Sequence, residues 1–352
     1  MGSEGFRVRP RQRARARHIP ILEDFRRPLL KVDQRLNLDL SFSNFKWAVY
    51  TMFLELELYD HLSQEPKSAE EIARDLGLNP AGLRMLLDAL AGLGVVAKSN
   101  GRYLATPLSE MMKLIGRTVT IIRRHPFWGR FLRLLEGEEL GPLKPFHEWG
   151  SLEEQMGYAV VALCGEFQRT LAFLEQEGVL EGAKRLIDIG GGHGLYSIGF
   201  CKLYPGLEAT VFDLPQTLEV TKLFVKAYGM EDRVKPLPGD ISSDELPRGF
   251  DVAFMSNVMP EKPRAIVGKV HRALAEGGYF VLKDLVPISD WAEAPYALGH
   301  VMMHCIEEGV IWPSLPPTMK EYVAMMLSEG FREAKVLGWI TEGWCSIALG
   351  RK

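Results

Sequence analysis

From residue 184 onward, short apolar runs of strand length alternate with helical segments, and this alternation constrains the fold more than any other feature of the chain. The runs are Arg185–Ile189, Ala209–Phe212, Val234–Pro236, Val252–Met255 and Tyr279–Leu285. Strands separated by helices need crossover connections, and those build a parallel sheet with helices on both faces. Two later runs, Ala334–Leu337 and Ser346–Leu349, are placed to close the sheet as an antiparallel hairpin. The class this predicts is α/β, with a Rossmann-like sheet.

The first strand runs into a glycine-rich turn, Leu186-Ile-Asp-Ile-Gly-Gly-Gly-His-Gly194, that opens a helix. Glycine allows positive φ and a close approach of backbone to ligand. Such a turn is a weak signal alone, but three further features fall at fitting offsets. Asp213 ends the second strand, where a carboxylate can accept both hydroxyls of a ribose. Gly239-Asp240 follows the third, within reach of an adenine amino group. Asp188, just before the glycines, can organise the loop and a ligand ammonium. The turn is not GxGxxG and no Walker lysine follows it, which argues against dinucleotides and nucleoside triphosphates.

Residues 41–115 read as a winged helix. Phe45, Val49, Met52, Phe53 and Leu56 recur at helical spacing. Ser68 with Glu71 forms a capping box, Asn79-Pro80 opens the next helix, and Gly92 and Gly94 end it. Asn100-Gly101 then turns a hairpin. The second helix offers only Arg84 and Asp88 to a nucleic acid, and residues 41–115 carry 7 Lys/Arg against 9 Asp/Glu. A phosphate-binding surface should be basic, so packing or dimerisation is the expected role.

Ahead of this unit stands a block of alternating arginines from Arg7 to Arg17 without an apolar h-region. It reads as a solvated mobile arm or dimer strap rather than a targeting segment. The expected division is a basic arm over 1–40, a winged-helix dimerisation domain and connector over 41–150, and the catalytic domain over 151–352. Net charge is -3, which points to neither nucleic acid nor an anionic membrane. The apolar stretch 45–59 is broken by Lys46, Glu55 and Glu57, short of a membrane span. Four scattered cysteines without a CxxC pair fit reduced thiols in a cytoplasmic protein.

These motifs resemble those of the small-molecule O-methyltransferases of the caffeate and hydroxyindole type. That family pairs an N-terminal winged-helix dimerisation domain with a class I methyltransferase domain. The matching segments are Asp188-Ile-Gly-Gly-Gly-His-Gly194, Asp213-Leu-Pro215, Arg233-Val234, Gly239-Asp240 with Pro247, and Leu274-Ala-Glu-Gly-Gly278. The resemblance implies S-adenosyl-L-methionine as cofactor, a small-molecule acceptor and a homodimer. It also implies cofactor contacts from Gly190, Gly192, Asp213, Asp240 and Ile241, and the candidate set takes in Asp188, Leu214 and Ser256. His193 matches a loop residue of the family and reads as structural.

The chain departs from the family where a histidine should follow the fourth strand as general base. Pro260 stands there, in Phe254-Met-Ser-Asn-Val-Met-Pro-Glu-Lys-Pro263. A general base contributes ~10²–10⁴ in rate, whereas positioning can contribute roughly 7–11 kcal/mol. An acceptor that needs no prior deprotonation is therefore favoured: a thioether sulfur first, as in a methyltransferase of dimethylsulfoniopropionate synthesis. A ring carbon, as in the bacteriochlorophyllide C-20 enzyme, or a hydroxyl served by a relocated base are the alternatives. A winged-helix regulator with a vestigial catalytic domain is a further reading, opposed by the intact cofactor motifs.

His300 and His304, at i and i+4, are the candidate catalytic pair, able to act as base or to bind an acceptor carboxylate. A metal is disfavoured for want of a third ligand. Arg123, Arg124, His147, Trp149, Met259 and Met303 are the candidate acceptor contacts.

Overall fold

The computed structural model describes residues 19–29, 42–115, 126–143, 151–258 and 262–352. The N-terminal unit contains α1 (Ser43–Glu55), α2 (Leu58–Leu62), β1 (Lys67–Ser68), α3 (Ala69–Leu76) and α4 (Pro80–Gly92). It continues through β2 (Val96–Ser99), β3 (Arg102–Ala105), α5 (Pro107–Ile115) and α6 (Trp128–Leu135). The local signals act as expected. Ser68 Oγ accepts from the Glu71 N–H at 3.2 Å while the Ser68 N–H donates to Glu71 Oε2 at 2.7 Å. Asn79 Oδ1 accepts from the Gly82 N–H at 3.0 Å, and Pro80 stands at the first turn, where its missing N–H costs nothing. Asn100 and Gly101, at φ 50° and 73°, make the left-handed turn that β2 and β3 need. Both polar groups of the would-be reading helix are engaged. Asp88 is buried against the Tyr103 hydroxyl (2.6 Å) and Lys98 (2.7 Å), and Arg84 pairs with Glu70.

The catalytic unit begins with α7 (Leu152–Val161) and α8 (Phe167–Gln176). The sequence suggests one long helix here. A π-type turn over Ala162–Glu166 breaks it instead, with Gly165 at φ 133°. Next come β4 (Arg185–Ile189), α9 (Leu195–Leu203), β5 (Glu208–Asp213), α10 (Pro215–Ala227), β6 (Val234–Pro238) and β7 (Phe250–Ser256). Then follow α11 (Pro263–Ala273), β8 (Leu274–Asp284), α12 (Pro295–Glu308), α13 (Met319–Ser328), β9 (Glu333–Thr341) and β10 (Cys345–Arg351). The seven-stranded sheet has the order β6-β5-β4-β7-β8-β10-β9. β4 to β8 pair in parallel, and β10 runs antiparallel to both β8 and β9. The expected Rossmann-like sheet with its closing hairpin is therefore present.

The two units share one apolar core. Where α4 meets the catalytic unit, a Cβ on Gly92 would stand 2.5 Å from the Ala292 carbonyl oxygen. A Cβ on Gly299 would meet the ring of Phe45 at 3.0 Å. These two close approaches seat α12 against the N-terminal unit. Lys98 of β2 adds a polar tie, 2.7 Å from Asp290 Oδ1.

Within the expected 1–40 arm, residues 19–29 are docked on the catalytic unit. Phe25 is buried, edge-on to Phe167 at 5.1 Å, and Leu22 is buried beside it. The Tyr228 hydroxyl donates to the Pro20 carbonyl at 2.7 Å, and Arg26 pairs with Glu175 at 2.7 Å. The apolar side chains at 22 and 25 outweigh the surrounding charge. The arginines from Arg7 to Arg17 lie outside the described residues. Among the described residues no helix is long and apolar enough to cross a membrane.

Candidate active site

Strand order reverses at β4, whose neighbours β5 and β7 lead away to opposite edges. Beyond the carboxyl ends of such strands a crevice opens, and ligands bind there in open α/β sheets. The crevice is a cavity of about 620 Å³. One wall is the glycine turn, the other is α12.

Gly190 and Gly192 adopt φ 66° and 54°. A Cβ on Gly190 would strike Val258, and one on Gly192 would stand 2.5 Å from Gln155 Oε1. Side chains here would fill the crevice, so the turn must be glycine. Asp213, at the end of β5, accepts from the Gly192 N–H at 2.8 Å and the Leu214 N–H at 2.7 Å. Burial raises its pKa, and those backbone N–H groups act against the rise. Asp188 accepts from Ser197 Oγ at 2.8 Å, and burial pushes its carboxyl up to about 7. It therefore braces the turn from beneath. His193, which also lines the cavity, accepts from the Leu195 N–H at Nδ1 (3.1 Å), and burial lowers the ring to about 3, so it is neutral near pH 7.

The cavity suits an adenosyl sulfonium cofactor. It has a buried carboxylate at the end of β5, a glycine turn free of side chains, and a volume in the range of small-molecule sites. Tyr196, on the helix that the turn opens, also lines the cavity.

Of the expected cofactor residues, Asp188, Gly190, Gly192, Asp213 and Ser256 line this cavity. Leu214, Asp240 and Ile241 do not line it. Asp240 Oδ1 accepts from the Ser242 N–H at 2.8 Å, and the Ile241 carbonyl accepts from Lys269 at 2.7 Å. His300, His304 and Met303 line the facing wall. Arg123, Arg124, His147, Trp149, Met259 and Pro260 lie outside the described residues.

On α12 the two imidazoles face each other, Nε2 to Nε2, at 3.1 Å. His304 Nδ1 lies 3.8 Å from Glu307 Oε2. His304 stacks on Trp312 at 6.0 Å, and His300 is edge-on to Trp344 at 5.7 Å. Burial and then the neighbouring imidazole push His300 down to about 3, so the ring is neutral near pH 7.

Sequence reasoning missed the carboxylates and a buried cation. Glu166, Glu307 and Glu308 line the cavity. Lys283 is fully buried and pairs with Glu166 at 2.8 Å. Burial works against its ammonium, but the neighbouring Cys345, Glu166 and Tyr196 side chains together more than offset this and hold the pKa above the ordinary lysine value. The adjacent Asp284 is also buried, and burial pushes it up to about 7. Two charged residues ending the apolar run Tyr279–Leu285 were the available signal.

Comparison with known proteins agrees with this fold. Residues 167–332 match the O-methyltransferase domain family, and residues 38–113 match the O-methyltransferase dimerisation domain. Over 333 residues the chain is 27% identical to a 3-hydroxy-5-methyl-1-naphthoate 3-O-methyltransferase of Streptomyces sahachiroi, covering 89% of this chain and 94% of that one. A 40% identical match over 124 residues to an uncharacterized protein of Methanocaldococcus jannaschii is local, since the chain spans 33% of that protein's length. The fold is shared with an O-methyltransferase family 2 protein of Planctomyces limnophilus solved in complex with apigenin. That likeness has a TM-score of 0.72 at 20% identity, over 94% of this chain and 99% of that one.

Proposed function

We propose a reaction for this chain, which belongs to the two-domain family of S-adenosylmethionine-dependent O-methyltransferases: transfer of a methyl group to a hydroxyl of a neutral aromatic small molecule, with His300 and His304 as a relocated base. The cofactor supplies an electrophilic methyl carried on a sulfonium. The observation that carries the proposal is the imidazole pair, 3.1 Å apart in the cavity wall with Glu307 behind it.

The Glu307 carboxylate favours a hydrogen on His304 Nδ1. His304 Nε2 is then the acceptor, His300 Nε2–H the donor, and His300 Nδ1 keeps its lone pair. A proton taken from the acceptor hydroxyl at that lone pair as the methyl transfers makes His300 an imidazolium, an uphill step for a ring that burial holds near 3, and donation to His304 with the Glu307 carboxylate behind it offsets the charge. The preference for sulfur rested on having no base, and this pair removes that premise. The carboxylates of Glu307 and Glu308 also disfavour an acidic thioether. Trp312 and Trp344 offer flat apolar walls suited to an aromatic ring.

The exposed apolar residues Trp47, Met111, Tyr158 and Val160 lie on the N-terminal unit and α7, and with the dimerisation-domain match they support a homodimer. The acceptor is tested with methyl-labelled cofactor against phenols, thioethers and porphyrins, read by product mass. A labelled methyl ether from a phenol is the expected product. A sulfonium or a C-methylated ring as the faster product would replace this reading.

A further inference from the structure

Lys283, the penultimate residue of β8, has 0% of its side chain exposed. Its ammonium is 2.8 Å from Glu166 Oε2 and donates to Asn257 Oδ1 at 3.2 Å. Burying such a pair costs several kcal/mol per ion before pairing, and an apolar pair of similar volume would hold the same elements without that penalty. Stability alone therefore does not account for it.

The arrangement is directional. Lys283 does not line the cavity, whereas Glu166 and Asn257 do. The positive end of the pair lies beneath the floor and the negative end lies in it. An ammonium has donors and no acceptor, so Asn257 must turn Oδ1 down to it and present its NH₂ elsewhere. The break at Cys164 and Gly165 sets the position of Glu166, since non-helical backbone at both residues, with Gly165 at φ 133°, interrupts the helical path between α7 and α8.

The pair also sits midway along the crevice. On one side Lys283 lies over the ring of Tyr196, on the helix that the glycine turn opens, at 5.7 Å. On the other, the Cys345 thiol faces Lys283, and the adjoining Trp344 packs on His300 at 5.7 Å. A cofactor with its ribose at Asp213 and its methyl directed to His300 must pass its sulfur near this point.

We propose that Glu166, anchored from below by Lys283, is a cofactor-binding residue whose carboxylate faces the sulfonium of S-adenosylmethionine, so that the site holds the charged cofactor in preference to the neutral thioether left after transfer. The inference rests on the cofactor placement above, but not on the identity of the acceptor or of the base.

The test is calorimetric binding of S-adenosylmethionine and S-adenosylhomocysteine to the wild-type protein, Glu166→Gln and the double variant Glu166→Gln/Lys283→Met. Both variants should lose about tenfold or more in affinity for the sulfonium, ~1.4 kcal/mol, and less than about threefold for the thioether. The double variant removes the pair as a unit and leaves no unpaired buried charge, so it keeps the question answerable if the single variant does not fold. Equal weakening of the two ligands, or weakening of neither, would overturn the proposal while leaving the cofactor site standing. Failure of the wild-type protein to bind either ligand would overturn both.

Discussion

Replacing Asp213 by alanine should weaken cofactor binding by roughly two to four orders of magnitude. The carboxylate offers about four lone-pair sites; the N–H groups of Gly192 and Leu214 take two of them, and the Thr217 hydroxyl also hydrogen-bonds to it. Two ribose hydroxyls would take the open site and the one that Thr217 gives up. Hydrogen bonds to a charged group are worth about 1.5–3 kcal/mol each, so losing both costs ~3–6 kcal/mol. The Gly192 N–H would also lose its partner and loosen the turn. Asp213→Asn keeps an oxygen for Gly192 but gives up the charge, and should fall between wild type and alanine. Titration calorimetry reads both variants. The ribose is common to S-adenosylmethionine and S-adenosylhomocysteine, so their affinities should fall together, unlike the selective loss expected at Glu166. Unchanged affinity in Asp213→Ala would refute the placement of the ribose.

Three further outcomes are expected. Burial raises Asp188 to about 7 from an ordinary value of 3.8, so the folded protein keeps a proton that the unfolded chain has lost across that window. Its presence then destabilises the fold increasingly as pH rises from about 4 to 7, by at most ~1.4 kcal/mol per pH unit. Melting curves of Asp188→Asn relative to wild type should therefore show a difference that climbs over this range and levels off above it, and a flat difference would contradict the buried protonated carboxyl. Phe25→Ala should cost about 3–5 kcal/mol in denaturant unfolding, whereas a freely solvated arm would give no change. Gly92→Val places a side chain against the Ala292 carbonyl and Pro295 and should cost ~1–3 kcal/mol. It should also lower the transfer rate by displacing α12, and full activity would mean that this contact does not position the histidines.

Much of the sheet was legible because each strand is an apolar run bounded by turn chemistry, as in Arg185–Ile189, whose ends match the observed β4. The caps at Ser68 and Asn79 were legible because they are local. His300 and His304 could be paired from their spacing alone. The partnership of Glu166 with Lys283 could not, since the two are far apart in sequence and meet only through the packing of α7 on the sheet. Gly165 reads as one weak helical position in a helical pattern, and nothing in the sequence announces its positive φ. In the arm, the arginines dominate the composition and conceal Leu22 and Phe25, whose side chains are buried.

The central claim, that the imidazole pair on α12 deprotonates a hydroxyl acceptor, is tested most directly by single-turnover methyl transfer to a phenol in wild type and His300→Ala/His304→Ala. The double variant should bind S-adenosylmethionine normally by calorimetry. It should transfer to the phenol ~10²–10⁴ times more slowly, and recover as rising pH ionises the phenol in solution. Transfer at the wild-type rate across the whole pH range would contradict the account.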